Sequence, residues 1–137
     1  NYNCPGQLVI AGEVPAVEIA VERLTEAGAR RAIILQVGGA FHSPLMGVAQ
    51  ERLNAAIDQT KLVAPICPIY QNVDAAASTD PDNIKSNLSA QLTSPVRWTA
   101  TMQHMIADGF DHFTECGGKV LSGFLKRIDR KLETESV

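Results

Sequence analysis

Cysteine is scarce in this chain of 137 residues and badly placed for structural use. Cys4, Cys67 and Cys116 form an odd, widely spaced set without a C-x-x-C pair. That pattern argues against a disulfide framework or a zinc knuckle and for a reducing compartment, with the thiols as small core filler. Histidine is equally sparse: His42, His104 and His112 have no metal-ligand partner at suitable spacing, so no metal site is expected. No apolar run approaches the roughly 20 residues of a membrane span. The opening residues show no basic region followed by an apolar stretch, so no secretory leader is read there. Together these absences predict a cytoplasmic protein without membrane contact. An excess of positive charge is also missing, the formal net charge being −3, and no nucleic-acid partner is expected. There is no G-x-S-x-G nucleophile elbow, no internal repeat and no low-complexity segment. The chain opens Asn1-Tyr2-Asn3-Cys4-Pro5-Gly6-Gln7 without a methionine, and is expected to begin inside a longer protein.

What is present is an alternation of helical and extended periods. Residues 7–12 form a short apolar run closed by glycine and read as a strand. Val17, Ala20, Val21, Leu24 and Ala27 recur on one face of a helix over 14–27, which Gly28 stops. Residues 32–37, Ala-Ile-Ile-Leu-Gln-Val, read as a second strand covered on both faces, completing a βαβ-like unit. From Pro44 to Gln59 the period is helical again, with Leu45, Ala49, Leu53, Ala56 and Ile57 inward. Residues 69–73 read as a strand and 75–79 as a loop. Asp80-Pro81 and Ser94-Pro95 each start a helix. Residues 110–116 form another strand, and Gly117-Gly118 turns the chain into a last helix with Leu121, Phe124, Leu125 and Ile128 buried. The tail from Glu133 is expected to fray.

His42 is the one side chain placed for chemistry. Gly38 and Gly39 precede it and free the backbone for unusual dihedrals, while Ser43 and Pro44 follow as an N-cap and first helical residue. A histidine on such a turn, beside the positive end of a helix, suits a general base. The plainer reading of the same pattern is a half-buried histidine bonded to a backbone group. Other candidates are weaker. Asp74 could orient a histidine or simply cap the next turn. Gly117-Gly118 before a helix could cradle an anion, but a strand-to-helix turn needs glycine anyway. His104 and His112 read as surface or half-buried residues.

Several segments, in order and at family-like spacing, resemble the C-terminal half of the malonyl-CoA:acyl carrier protein transacylase family. They are the opening 1–7, then Gly39-Ala40-Phe41-His42-Ser43-Pro44-Leu45-Met46, Asn72-Val73-Asp74-Ala75, Gln91-Leu92-Thr93-Ser94-Pro95-Val96-Arg97-Trp98-Thr99, and Gly117-Gly118-Lys119-Val120-Leu121-Ser122-Gly123. The resemblance implies an α/β fold. Residues 1–41 would be part of a ferredoxin-like small subdomain, and 42–137 the C-terminal part of an α/β-hydrolase-like acyltransferase subdomain. It implies ping-pong transfer of malonyl from coenzyme A to the phosphopantetheine thiol of acyl carrier protein, without a cofactor. His42 matches the catalytic histidine. Gln91 matches the residue whose main-chain carbonyl completes the triad. Asn1, Asn3 and Gln7 match residues lining the malonyl pocket. Phe41 matches a phenylalanine that accompanies malonyl preference, although the ring could equally just pack under the histidine loop. The serine elbow, the oxyanion-hole donors and the carboxylate-binding arginine of the family lie in an N-terminal half that this chain does not contain. Two further departures are Gly117-Gly118 where the family has Gly-Pro-Gly, and Gly38 where serine is common. The alternatives are a non-catalytic fragment or module that keeps the fold, and a portion of a polyketide synthase acyltransferase domain, which shares the Ala-Phe-His motif.

Overall fold

A computed structural model describes residues 1–137. The chain is mixed α/β, with three two-stranded sheets and five α-helices. It opens with a hairpin of β1 (Tyr2–Cys4) and β2 (Gln7–Leu8), antiparallel and bulged between Tyr2 and Cys4. Helix α1 (Val14–Glu26) follows. It ends in a Schellman turn, in which Ala29 N–H donates to Leu24 O and Gly28 N–H to Thr25 O, with Gly28 at φ 88°.

Residues 32–37 are not a strand. A strand exists only where a neighbour takes its N–H and C=O groups, and this chain places none beside it. Ile33, Ile34, Leu35 and Val37 are accordingly 48–65% exposed, and the expected βαβ unit does not form. Helix α1 shares this fate: Val17, Ala20 and Val21 are half-buried, while Leu24 and Ala27 are exposed.

A single 3₁₀ turn, Pro44–Met46, leads into α2 (Gly47–Gln59). Its inward face is one position away from the expected stripe: Gln50, Asn54 and Ile57 are half-buried, whereas Ala49 and Leu53 are exposed. The short strands β3 (Ile69–Tyr70) and β4 (Ala77–Ser78) pair antiparallel, so the segment read as a loop over 75–79 contains a strand. Helix α3 (Pro81–Ala90) is capped by Asp80, whose Oδ1 accepts from Asp82 N–H at 3.0 Å. Helix α4 (Trp98–Ala107) begins three residues after Pro95.

The C-terminal third holds the core. Strand β5 (His112–Glu115) and helix α5 (Leu121–Ile128) are followed by β6 (Glu133–Ser136), which pairs in parallel with β5, His112 opposite Glu133 and Glu115 opposite Ser136. The tail therefore does not fray; the ladder to β5 holds it. Met102, Leu125 and Leu132 are buried, with Trp98, Met105, Ile106, Phe113 and Ile128 packed round them. Each such buried side chain stabilises the fold by about 1.5–3 kcal/mol. No helix is long and apolar enough to cross a membrane.

Candidate active site

The site is built on the C-terminal end of α3. The last carbonyls of a helix have no partner within it, and here Gln50 and His42 bond to carbonyls at this end and just beyond it. Gln50 Nε2, from α2, donates to Ser89 O at 2.6 Å. The His42 main-chain N–H donates to Leu92 O at 3.0 Å. His42 Nδ1 lies 3.0 Å from Gln91 O. A carbonyl oxygen only accepts, so the proton of this bond sits on Nδ1. In the neutral ring Nε2 is then left with a free lone pair.

The turn that presents the ring is strained at the histidine itself. His42 has φ 61°, one of two non-glycine residues in the left-handed region. Gly38 and Gly39, expected to carry the unusual dihedrals, do not have positive φ. Such a conformation costs on the order of 1–3 kcal/mol and persists only where surrounding bonds over-determine it. They do so here: beyond the two bonds of His42, buried Ser43 donates its hydroxyl to Ala40 O at 2.7 Å and accepts from Leu45 N–H at 3.3 Å. Ser43 is thus a turn-closing residue. Phe41 folds back over Gly39, where a Cβ would stand 3.5 Å from the ring and 3.6 Å from Met46 Sδ, yet Phe41 keeps 48% of its surface exposed.

The stretch from Gln91 to Thr99 ties the quoted motifs together. Its start holds His42. Further on, Val96 O accepts from Tyr2 N–H at 2.8 Å, Arg97 N–H donates to Asn72 O at 3.1 Å, and Thr99 Oγ1 donates to Tyr2 O at 3.1 Å. Four residue steps separate Leu92 from Val96, so the anchor points of the His42 turn and of the β1–β2 hairpin are at most about 14 Å apart. That hairpin carries Asn1 and Asn3, half-buried, and Gln7, exposed with its Oε1 3.7 Å from Cys4 Sγ. Asn1 Oδ1 is buried without a partner.

Asp74 does not reach a histidine. Its Oδ1 accepts from Ala76 N–H at 3.1 Å and its Oδ2 from Asn87 Nδ2 at 2.7 Å. His104 Nδ1 lies 2.7 Å from Ala75 O. His112 sits between Glu133 and Glu135, 3.3 Å from each. Bonds to Glu135 and then Glu133 raise its pKa above the ordinary histidine value, against a smaller effect of burial.

The turn at Gly117-Gly118 already has its anion. The Glu115 carboxylate accepts from the N–H groups of Val120, Leu121 and Ser122 at 2.8–3.1 Å, and from the Ser122 hydroxyl at 2.8 Å. Burial alone would raise the Glu115 pKa. The bonds from Ser122 and Leu121, then the Ser122 hydroxyl and Val120, outweigh it and lower the value to about 2. Beside it, a cleft of about 360 Å³ opens between Tyr70, Trp98, Met105, Phe113 and Leu121. No group of His, Cys, Asp or Glu side chains could hold a metal ion.

Sequence reasoning missed Gln50, Gln71, Asn87 and Glu115. Asn87 had a signal: a polar residue three positions after Ile84 and one before Leu88, inside the apolar stripe of α3.

No family model matches the chain. Over all of its length it is 45% identical to malonyl CoA-acyl carrier protein transacylase of Bacillus subtilis, and 42% identical to that of Staphylococcus aureus. It spans 44% and 45% of those proteins, a little under half their length. Among solved structures it is similar to MCAT from Streptococcus pneumoniae, with TM-score 0.94, 42% identity, all of this chain and 45% of that one. A malonyl-transacylase in complex with a type II PKS acyl-carrier protein superposes with TM-score 0.95 at 38% identity, again over all of this chain and 45% of that one. All of this chain is therefore similar to a stretch of just under half the length of each of these malonyl CoA-acyl carrier protein transacylases.

Proposed function

We propose that this chain supplies the general base and part of the acyl pocket of a malonyl-CoA:acyl carrier protein transacylase, working in the cytoplasm in fatty acid synthesis. The observation that carries the reading is the His42 Nδ1 contact with the Gln91 carbonyl. It leaves Nε2 free to take a proton from a hydroxyl nucleophile and to return it to the departing thiolate of coenzyme A. A main-chain carbonyl in the orienting role needs no carboxylate, and Asp74 is engaged elsewhere.

The nucleophile is a serine in a G-H-S-x-G elbow of the remaining, N-terminal half of the enzyme, which is a required partner of this chain. Malonyl passes to that serine and then to the phosphopantetheine thiol of acyl carrier protein. Asn1, Asn3 and Gln7 line the malonyl pocket and Phe41 limits its width. In subdomain terms, 1–41 belong to a ferredoxin-like small subdomain and 42–137 to an α/β-hydrolase-like one. An acyl carrier protein partner is supported by the superposable malonyl-transacylase solved with such a protein.

The test is reconstitution. The 137-residue chain is expected to transfer no malonyl by itself, having no serine elbow. Co-expressed with the complementary portion of the Bacillus subtilis homologue, it is expected to convert holo acyl carrier protein to its malonyl form, read by intact mass. Turnover by the isolated chain, or none by a well-formed reconstituted complex, would overturn the reading.

A further inference from the structure

We propose that Asn87 is a positioning residue for His42, acting through the last turn of α3. The inference rests on the reading of His42 as a base and adds a residue to it. Asn87 is buried in a run of amides whose donor–acceptor order is forced. Asp74 Oδ2 only accepts, so the Asn87 NH₂ faces it, at 2.7 Å. The same NH₂ meets Gln71 Oε1 at 3.2 Å, which turns the Gln71 amide so that its Nε2 donates to Ile84 O at 3.1 Å. Both amides are under 9% exposed. The network thus grips α3 at two points, the Ile84 carbonyl and the Asn87 side chain, and fastens them to the 71–75 segment.

Asn87 is also one bond from the site. Its main-chain oxygen accepts from Gln91 N–H at 2.9 Å, and Gln91 O receives the His42 ring. The side chain therefore fixes the turn whose final carbonyl selects the Nδ1–H tautomer. Gln50, bonded to Ser89 O, is a further hold on the same turn. A hydrogen bond loses strength steeply as its angle closes. A small rotation of the helix end is then enough to release the ring and let the proton move to Nε2, where it blocks base catalysis.

The experiment uses the 137-residue chain with ¹⁵N-labelled histidine, in alkaline buffer where the rings are neutral. Long-range ¹H–¹⁵N spectra read the ratio of Nδ1–H to Nε2–H at His42, assigned with His104→Gln and His112→Gln variants. Asn87→Ala is expected to shift this ratio toward Nε2–H by about two- to tenfold, the equivalent of one neutral hydrogen bond. Asp74→Asn is the gentler variant should Asn87→Ala fail to fold. It leaves one oxygen where two serve Ala76 N–H and Asn87, and it is expected to shift the ratio in the same direction. Leu88→Ala shortens a half-buried side chain of α3 that takes no part in these hydrogen bonds and is expected to leave the ratio alone. An unchanged ratio in Asn87→Ala and Asp74→Asn, or an equal shift in Leu88→Ala, would overturn the inference. These spectra report a tautomer and not turnover, so a reconstituted enzyme without malonyl transfer counts against the proposed function alone.

Discussion

His42 Nδ1 and the Gln91 carbonyl oxygen stand 3.0 Å apart, 49 residues apart in sequence. The contact uses a carbonyl that the end of α3 leaves unpaired, and it satisfies that oxygen while orienting the ring. One bond thus completes a helix end and sets a tautomer. The left-handed backbone of His42 is held by the same neighbourhood, through Leu92 O and the Ser43 bonds.

Replacing His42 with alanine removes the proposed base. In the reconstituted enzyme, malonyl transfer to acyl carrier protein is expected to fall by about two to four decades, the usual worth of a positioned base. A rate near that of the unaltered enzyme, measured by stopped-flow release of coenzyme A, would take His42 out of the mechanism.

Gln91→Ala keeps the main-chain carbonyl and is expected to retain activity within about tenfold of the parent, far above His42→Ala. Loss equal to that of the histidine variant would show that the Gln91 side chain carries the role.

Phe41 is half-exposed in the His42 turn, and under the proposed function its ring would occupy the space an α-methyl group needs. Phe41→Ser is expected to raise kcat/KM for methylmalonyl relative to malonyl thioester by about tenfold to two-hundredfold, the worth of one methyl group in a pocket. An unchanged ratio in a folded variant would assign the ring to packing alone.

Glu115 offers a stability test independent of catalysis. Its pKa is lowered to about 2 in the folded chain, from an ordinary 4.5. For a depressed carboxyl the contribution is whole above the ordinary value and disappears as pH falls through the folded one. Glu115→Gln is expected to lower Tm at neutral pH and to flatten its decline between 4.5 and about 2. An equally steep acid limb in the variant would mean that other carboxyls set it.

His112 works in the opposite sense. Its pKa is raised, first by Glu135 and then by Glu133, so its contribution is complete below the ordinary 6.5 and is lost as pH rises through the higher folded value. The protection factor of the β6 amides, with the intrinsic base-catalysed rise of exchange divided out, is expected to fall over that alkaline window, and His112→Gln to abolish that fall. Protection of Glu133–Ser136 that ignores pH in both proteins would show that the ladder alone holds the strand.

Elements whose bonds close within a short segment could be read from the residues alone. Helices α1, α3 and α5 lie where periodicity and capping put them, because each turn bonds within its own segment and the apolar stripe needs only some neighbour. The His42 turn was legible for a similar reason, its Ser43 bonds spanning three residues or fewer. Tertiary structure decided everything that depends on a distant partner. Residues 32–37 have strand composition and no strand beside them, whereas residues 133–136 read as a fraying tail and are held by β5. Helix α2 turned its Gln50 inward because the end of α3 offered there the Ser89 carbonyl, which an apolar side chain could not have satisfied. The Gln91–His42 contact and the Asn87 network likewise join groups that no local pattern brings together, whereas Glu115 caps α5 from a few residues upstream. A buried polar atom takes whichever partner the fold carries to it, and the fold alone names that partner.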